Sequence, residues 1–355
     1  MSDNQFYSLI FEPNLHTVVW GGNNIRPYKG LSCSDELIGE SWEVSVIPNS
    51  VSIISNGQWK GKDLASVIDE YTEALLGKNV KSLYNGKLPL LVKIIDAKQD
   101  LSIQVHPDDD FALREHGKSG KSEMWYVLKA EPGSRLYAGF KKHVSPEELK
   151  RRINNGSLTE VLAEHTVRTG DVFYIPAGRI HSICGGVMLV EVQQSSDVTY
   201  RLFDYNRMGI DGKPRSLHVD LGVRAIDYEI EKNYHSDYTE CTNRAVKIVE
   251  SPFFAVRVME ITKPFHRNLL KYDSFIITMC VEGDCKLRVR STGDELLLKE
   301  GATAFIPAII ADYDVIPLGK KSRLLDTYID NNERKVWNKA ANFFHITRHN
   351  IQMLK

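Results

Sequence analysis

The chain has 355 residues, of which 42% are hydrophobic, so it can bury a core large enough for one big domain or two ordinary ones. Its 45 basic and 46 acidic side chains nearly cancel and are scattered, which argues against a nucleic-acid-binding surface. No basic segment followed by an apolar run opens the sequence, and no stretch is long enough to span a bilayer. We therefore expect a soluble, cytoplasmic protein without membrane or nucleic-acid partners.

Short runs rich in valine, isoleucine, tyrosine and phenylalanine, separated by glycine turns, predict many strands. In chain order these runs are 89–97, 101–106, 123–130, 171–176, 187–194, 255–262, 274–283, 285–291 and 302–308. Two segments show helical periodicity instead, 62–77 and 145–165, and the second starts with Ser145 as a helix cap and Pro146 at the first helical position. The three aspartates at 108–110 are predicted to form a turn or a helix cap. The chain is thus predicted to be mainly β with two helical insertions.

The cysteines are odd in number, widely spaced and without a CxxC pair. This pattern indicates reduced thiols in a cytosol rather than a disulfide framework. Cys184, which lies three residues after His181, is interpreted as a small buried hydrophobic residue. The five are Cys33, Cys184, Cys241, Cys280 and Cys285.

A weak internal repeat divides the strands into two sets. The segment GDVFYIPAGRIHSI, which begins at Gly170, aligns with GATAFIPAIIADYDV, which begins at Gly301. The two share the glycine, a similar strand and the proline six residues on. Where the first copy has His181, the second has Asp312. We predict that the first copy belongs to a metal-competent domain and the second to a structural one.

Four polar side chains stand where a β scaffold can bring them together around one divalent metal ion. Gln104 and His106 occupy alternate positions of one predicted strand, so their side chains project to the same face. Glu123 begins another strand, and His181 follows a glycine and proline turn that bends the chain inward. The mixed nitrogen and oxygen set suits Zn2+ and also accepts Mn2+ or Fe2+. Gln104 is the weakest of these ligands, because a neutral amide donates less charge.

The spacing G-x5-P-x-G-x2-H, formed by Gly170, Pro176, Gly178 and His181, resembles the second motif of the cupin superfamily. The segments LLVKIIDAKQDLSIQVHPDDDFA, GKSEMWYVL and VQQSSDVTYRLFDYNR add to it, as do the opening fragments PNLHTVVWGG and GESWEVS. In this order and at this separation, they resemble the type I phosphomannose isomerases in their shorter bacterial form. The resemblance covers residues 5–320, roughly, and the remainder matches nothing that we can place.

The resemblance implies a fold, an activity and a set of site residues. The fold would be two cupin-type jelly-roll β-barrels with helical insertions, a catalytic one in residues 1–245 and a degenerate one in residues 246–355. The activity would be metal-dependent interconversion of mannose 6-phosphate and fructose 6-phosphate through a cis-enediol, by a monomer or weak homodimer with a zinc ion. Residue by residue, the resemblance assigns active-site roles to Lys121 and Arg201 and a substrate contact to Ser102. The metal ligands that it implies are Gln104, His106, Glu123 and His181.

Each role has a physical reason. A divalent ion binds the substrate's oxygens and lowers the energy of an enediolate, and Arg201 adds a fixed positive charge beside it. Lys121 shares a face with Glu123, where burial and the cation are expected to lower the pKa of Lys121 and make it a base, unless it contacts the phosphate instead. Ser102 and Lys93 are predicted to bind the phosphate, the latter because a lysine inside an apolar strand needs a partner.

Other interpretations stay open on the sequence alone. Arg201 is also placed to form a surface salt bridge with Asp204, and Trp20, Trp42 and Trp125 are more typical of a core than of a sugar pocket. A non-catalytic sugar-phosphate-binding or regulatory cupin would keep the scaffold without turnover. A metal-dependent oxygenase is disfavoured, because such sites need open coordination positions and often more histidines.

Overall fold

The structure is a computed structural model, and it describes residues 6–330. Contacts within the chain divide it into two compact units, which we call the first and the second unit. The first unit contains residues 11–65 and 88–237, and the described part of the second contains residues 6–10, 66–87 and 238–330. The predicted domain division between residues 245 and 246 stays a prediction.

The described residues form mostly strands. The first twelve are β1 (Leu9–Ile10), β2 (Leu15–Gly22), β3 (Ile38–Val44), β4 (Leu90–Ala97), β5 (Ile103–Val105), β6 (Glu123–Ala130), β7 (Arg135–Phe140), β8 (Leu162–Thr166), β9 (Val172–Ile175), β10 (His181–Ile183), β11 (Val187–Gln194) and β12 (Tyr200–Phe203). The others are β13 (Arg244–Glu250), β14 (Ala255–Ile261), β15 (Phe265–Asn268), β16 (Ile276–Glu282), β17 (Cys285–Val289), β18 (Glu295–Leu298), β19 (Thr303–Ile306), β20 (Asp312–Pro317) and β21 (Ser322–Tyr328).

Helices are fewer than strands in this part of the chain. The α-helices are α1 (Ile25–Tyr28), α2 (Leu64–Leu76), α3 (Lys78–Leu83), α4 (Asp109–His116), α5 (Pro146–Asn154) and α6 (Val219–Ala225). Single 3-10 turns occur at Gly57–Trp59, Leu158–Val161, Leu270–Tyr272 and Ala308–Ile310.

The first unit is built from two antiparallel sheets. One has six strands in the order β2-β3-β4-β11-β6-β9, and the other has five in the order β12-β5-β10-β7-β8. Side chains from both sheets form one buried cluster that includes Ile95, Val127, Leu136, Ile183 and Leu189. Two sheets sharing one apolar core are the jelly-roll arrangement expected from the sequence, and the mainly β class is confirmed.

Strands β4 and β11 pair with each other inside the six-stranded sheet, and every residue of both is buried. Burial on both faces explains why their sequences are nearly continuous apolar runs rather than alternating ones. Each run is interrupted by a charge, Lys93 in β4 and Glu191 in β11, and these two residues lie directly opposite each other. The sheet therefore brings together two charges that neither strand could bury alone.

The helix predictions are confirmed in part. The acidic run caps a helix, because Asp108 accepts a hydrogen bond from the Phe111 N–H at the start of α4. Ser145 caps α5 in the same way by accepting from the Glu148 N–H. Helix α2 falls inside the predicted segment 62–77.

The prediction that α5 continues to residue 165 is wrong. The helix ends at Asn154, and Gly156 then takes a φ of +74°, which diverts the chain from the helical path. Residues 162–166 form β8 and pair with β7 instead. Pairing with a neighbouring strand therefore overrides the local helical preference of this segment.

The second unit also contains two antiparallel sheets, with the strand orders β1-β19-β16-β21-β14-β13 and β15-β20-β17-β18. Asp312, which stands where the first motif has its histidine, opens β20 and pairs with His266 at 2.6 Å. Within residues 6–330, the His, Cys, Asp and Glu side chains that are grouped closely enough to hold a metal ion belong to the first unit. No helix in this range is long and apolar enough to cross a membrane.

A buried ion pair joins the two sheets of the second unit. Asp326 on β21 has no exposed surface and accepts hydrogen bonds from Arg267 Nε at 2.9 Å, from the Tyr313 hydroxyl at 3.1 Å and from the Thr278 hydroxyl. Replacing Asp326 by alanine leaves the Arg267 guanidinium buried without its counter-charge. We expect the free energy of unfolding to fall by about 3–5 kcal/mol, measured from the urea unfolding transition.

Glu295→Ala is the matched control for this substitution, since Glu295 forms an exposed pair with Lys286 in the same unit. Exposed pairs contribute little to stability, so the urea transition of this variant should coincide with that of the wild type. Equal shifts for the two variants would mean that Asp326 contributes no more than a surface charge.

Candidate active site

Three predicted site residues form a row across neighbouring strands of the five-stranded sheet. Arg201 on β12 lies opposite Gln104 on β5, and Gln104 lies opposite His181 on β10. Residues directly opposite each other in antiparallel strands project to the same face, so all three side chains point to one side of the sheet. With strands about 4.8 Å apart, the backbones of Arg201 and His181 are separated by about 10 Å.

The remaining predicted ligands come from the end of β5 and from the other sheet. His106 directly follows β5, and Glu123 is the first residue of β6. Glu123 Oε2 lies 3.3 Å from His106 Nε2, and Glu123 Oε1 lies 3.4 Å from His181 Nε2. All three side chains are buried, and one ligand atom from each lies within 4.8 Å of the others. They form a group that can hold a metal ion.

The chemistry of these donor atoms fits a cation. His106 Nδ1 lies 3.0 Å from the Val198 carbonyl and His181 Nδ1 lies 2.8 Å from the Arg179 carbonyl, so each ring donates its Nδ1 proton to the backbone. Each Nε2 is therefore left with a lone pair. Glu123 Oε1 is buried and has no hydrogen-bond partner. Such an oxygen is costly to bury unless something positive neutralises it, which a divalent ion would do.

The ionisation states of the three residues agree with this arrangement. Burial lowers the pKa of His106 to about 4, and burial also lowers the pKa of His181. Burial disfavours the charged form of Glu123, yet the positive charge of Lys121 outweighs it and holds the pKa of Glu123 well below its usual value. At neutral pH the group consists of two neutral imidazoles and one carboxylate, the forms that bind metal ions.

Gln104 is brought to the group but presents its amide nitrogen to it. Gln104 Nε2 lies 3.3 Å from His181 Nε2, while its oxygen accepts a hydrogen bond from the Ser102 hydroxyl at 3.2 Å. The amide oxygen and nitrogen exchange positions by a half-turn of the terminal amide. Metal ligation by Gln104 requires that half-turn and stays a prediction.

Lys121 lies beside the group, as its spacing from Glu123 predicted. Its Nζ lies 2.7 Å from Glu123 Oε2, 3.1 Å from His106 Nε2 and 3.9 Å from Glu191 Oε1. Burial acts to lower the pKa of Lys121, but the carboxylates of Glu123 and Glu191 outweigh it and the pKa is raised. The expected lowering of the pKa includes the effect of a bound cation and stays a prediction.

The six-stranded sheet contributes a wall of alternating charges. Lys93 Nζ lies 3.5 Å from both Glu40 Oε2 and Glu191 Oε1, and it lies over the Trp42 ring at 4.8 Å from the centroid. Glu191 also accepts a hydrogen bond from Trp125 Nε1 at 3.1 Å. The predicted need of Lys93 for a partner is thus met by two carboxylates. Its predicted contact with a phosphate stays a prediction.

A cavity of about 330 Å³ opens between these walls. Six of the eight predicted site residues line it, and the other two, His106 and Glu123, are buried and do not. The lining six are Lys93, Ser102, Gln104, Lys121, His181 and Arg201.

Several cavity residues were not predicted from the sequence. Glu191 carries the same signal that marked Lys93, a charge within an apolar run, whereas Glu40 lies in a strand that also contains Ser41 and Glu43 and gives no such signal. Arg215 and His218 follow β12 in a segment without a recognisable pattern. Trp20 and Trp125 belong to the buried core, as expected for them, and also line the cavity, whereas the Trp42 ring contacts Lys93.

Arg201 does not form the surface salt bridge considered for it. Its Nη1 donates to the Ser216 carbonyl at 3.0 Å, and its Nε is buried without a hydrogen-bond partner. Asp204 accepts hydrogen bonds from two other arginines instead, from Arg207 Nε at 3.1 Å and from Arg215 Nε at 2.7 Å. Burial lowers the pKa of Arg201, and the charge of Arg215 lowers it further.

Asp204 provides a test of this arrangement by its pH dependence. Burial acts to raise the pKa of Asp204, but hydrogen bonds from Arg215 and Arg207 overcome it and hold the pKa below the usual value. Because the folded pKa is the lower one, the resulting stabilisation is present above about pH 4 and is lost as the pH falls through the folded pKa. We expect Asp204→Asn to lower the free energy of unfolding by about 2 kcal/mol at pH 7.

The check is urea unfolding of the wild type and Asp204→Asn between pH 7 and pH 3. The difference in stability between the two proteins should shrink below about pH 4, where Asp204 becomes protonated in the unfolded chain, until the pH has fallen through the lower pKa of the folded chain. A difference that stays constant down to pH 3 would mean that the arginines do not stabilise the ionised carboxyl.

Two sheets that enclose two histidines and a glutamate, with donor atoms close enough to share one ion, define the first unit as a cupin with a site of the metal-binding kind. Residues 9–129 match the family described as phosphomannose isomerase type I, catalytic domain, and residues 244–319 match the mannose-6-phosphate isomerase cupin domain. The chain belongs to the type I phosphomannose isomerases, a family of enzymes.

Individual relatives agree with this assignment. The mannose-6-phosphate isomerase of Streptococcus mutans is 37% identical over 255 residues, which are 72% of this chain and 79% of that protein. The mannose-6-phosphate isomerase ManA of Bacillus subtilis is 32% identical over 306 residues, which are 84% of this chain and 94% of that protein. A crystal structure of the mannose 6-phosphate isomerase from Bacillus subtilis matches with a TM-score of 0.81 and 30% identity, over 91% of this chain and 99% of that chain.

Proposed function

We propose that the chain interconverts mannose 6-phosphate and fructose 6-phosphate through a cis-enediol. The observation that carries the proposal is the buried Glu123 Oε1, which has no hydrogen-bond partner and lies 3.4 Å from His181 Nε2, in a buried group with His106 next to a polar cavity. The names of the relatives, all mannose-6-phosphate isomerases, support this choice of substrate. A non-catalytic sugar-phosphate-binding protein is not favoured.

We propose that His106, Glu123 and His181 hold one Zn2+, with Gln104 as a fourth ligand after its amide has turned. Two imidazoles with one carboxylate are a common ligand set for zinc, although Mn2+ and Fe2+ accept the same donors. When bound, such an ion would polarise the oxygens of the sugar and stabilise negative charge on them.

The other residues act directly on the substrate in this proposal. Arg201 keeps a permanent positive charge in the cavity and stabilises the substrate oxygen that becomes negative in the transition state. Lys121 Nζ lines the cavity at the edge of the metal group, 2.7 Å from Glu123 Oε2, and donates a proton to a substrate oxygen. This role replaces the base role considered from the sequence. Ser102 donates a hydrogen bond to the substrate from the same row of side chains.

The proposal includes the localisation, the oligomeric state and the partners of the enzyme. We propose a cytoplasmic monomer or weak homodimer that acts on a small hexose 6-phosphate and has no nucleic-acid partner. The five cysteines are all free thiols, and the formal net charge of −1 gives no general attraction for nucleic acids.

A coupled assay with mannose 6-phosphate tests the function. Turnover should be present in the purified protein, disappear after chelation and return when Zn2+ is added. Metal analysis of protein purified without added metal identifies the ion. Binding of mannose 6-phosphate without turnover in the zinc-restored protein would favour the non-catalytic alternative.

A further inference from the structure

Three arginines surround one aspartate in the segment that follows β12. Asp204 accepts hydrogen bonds from Arg207 and, through both carboxylate oxygens, from Arg215. The guanidinium of Arg201 is held next to them by the Ser216 carbonyl. Three positive charges against one negative charge leave this cluster, Arg201, Asp204, Arg207 and Arg215, with an excess of two positive charges. A region with such an excess attracts anions.

Only part of the cluster faces the cavity. Arg201 and Arg215 line it, whereas Arg207 does not and donates to the Asp100 carbonyl as well as to Asp204. Arg215 uses Nε and Nη2 to contact Asp204, and among the hydrogen bonds within residues 6–330 none uses its Nη1. Asp204 therefore fixes the plane of the Arg215 guanidinium and leaves one edge of it available to a ligand.

His218 adds a donor to the same end of the cavity. The Arg201 backbone N–H donates to His218 Nδ1 at 3.2 Å, so the neutral ring carries its proton on Nε2. The pKa of His218 is lowered by burial and then by the charge of Arg201, which keeps the ring neutral at pH 7. The guanidinium groups of Arg215 and Arg201 and the His218 ring thus all line the cavity. Asp197 lines it as well, and its carboxylate pairs with Lys118 at 2.7 Å.

The opposite wall of the cavity has the reverse charge. Lys93 lies 3.5 Å from each of two carboxylates, Glu40 and Glu191, so this group of three carries a net charge of −1. A phosphate dianion placed there would be repelled. The site predicted for the phosphate from the sequence, which included Lys93, is therefore the less favourable of the two ends.

We propose that Arg215, oriented by Asp204, binds the phosphate group of the substrate. The inference rests on the proposed function, since it assigns the anionic end of the same sugar phosphate. Arg201 lies about 10 Å from His181 along the row of site residues, and Arg215 contacts Asp204, three residues further along the chain, so Arg201 can act on the reacting oxygen while Arg215 holds the phosphate. A hexose 6-phosphate with its phosphate at Arg215 directs its carbonyl end towards the histidines.

Binding of inorganic phosphate to the whole chain, measured by isothermal titration calorimetry, tests the assignment without requiring turnover. Arg215→Gln should weaken phosphate binding by about 10- to 100-fold, because it removes a charge-assisted hydrogen bond. Arg207→Gln is the matched control, since it also removes an arginine that contacts Asp204, but one that does not line the cavity. The phosphate affinity of this variant should stay within about threefold of the wild type. If Arg215→Gln does not fold, Arg215→Met keeps the aliphatic stem and has the same expected result.

Two results would overturn the assignment: wild-type phosphate affinity in the folded Arg215 variant, or equal weakening in the Arg207 variant. Steady-state kinetics with mannose 6-phosphate separate this outcome from a failure of the proposed function. In Arg215→Gln the KM should rise by the same factor as the phosphate Kd, with kcat within about threefold. If the zinc-restored wild type binds phosphate through Arg215 but shows no turnover, the function is wrong and the anion site stands. If turnover is present and Arg215→Gln keeps the wild-type KM, the function stands and the anion site is wrong.

Discussion

His181→Ala is expected to lose both its bound metal and its turnover. His181 Nε2 is one of three donor atoms that lie within 4.8 Å of one another, and alanine offers no replacement. Without His181 the site keeps His106, Glu123 and the neutral amide of Gln104, a weaker set that is expected to lose the divalent ion at the usual buffer concentrations. Because a bound ion contributes several kcal/mol of charge stabilisation, the fall in kcat/KM should be about 1,000-fold or more.

Metal content by mass spectrometry and turnover of the same preparation measure this effect. His165→Ala is the matched control, because His165 is a partly buried histidine of the same unit that contacts the Ala138 carbonyl and does not line the cavity. It should keep both metal and activity. A His181→Ala protein with the metal content of the wild type would disprove the proposed ligand set.

Arg201→Met should keep the metal and lose rate. The guanidinium lines the cavity and carries a permanent positive charge there, so it can stabilise a developing negative oxygen. Removing one such preorganised donor typically lowers kcat by about 100- to 1,000-fold. The metal content should not change, because Arg201 lies two strands from His181 and contributes no donor atom to the metal group.

The measurement is kcat with saturating mannose 6-phosphate, together with metal analysis. Arg207→Met serves as the control, since this arginine belongs to the same charged cluster but does not line the cavity. Its kcat should stay close to the wild-type value. An Arg201→Met enzyme with unchanged kcat would remove the electrostatic role assigned to this residue.

Much of the site could be predicted from alternation within strands and from family motifs. Gln104 and His106 are two residues apart, and this spacing alone puts them on one face of β5. Lys121 and Glu123 are related in the same way. Alternation within a strand does not predict which residue of the adjacent strand lies opposite, because strand pairing and register depend on the whole sheet. The opposition of Lys93 and Glu191 was therefore invisible, and with it the raised pKa of Lys121.

The same limit explains the misplaced helix end and the residues that were missed. Segment 162–166 has no strong strand pattern of its own and becomes β8 only by pairing with β7. Arg215 and His218 belong to an irregular segment, where position is fixed by contacts with Asp204 and Arg201 rather than by any period in the sequence. Residues of this kind become predictable only when the fold supplies their neighbours.

Arg201, Gln104 and His181 lie in one row across three paired strands, so the metal site forms only when the sheet has folded. A shift of β5 by a single residue against its neighbours would turn Gln104 and His106 away from the cavity together. A partly folded chain with β5 out of register therefore lacks these two ligands at the site. We expect metal binding to occur only when the strands complete their native pairing. Metal binding during biosynthesis would then indicate that the strands have paired in the native register.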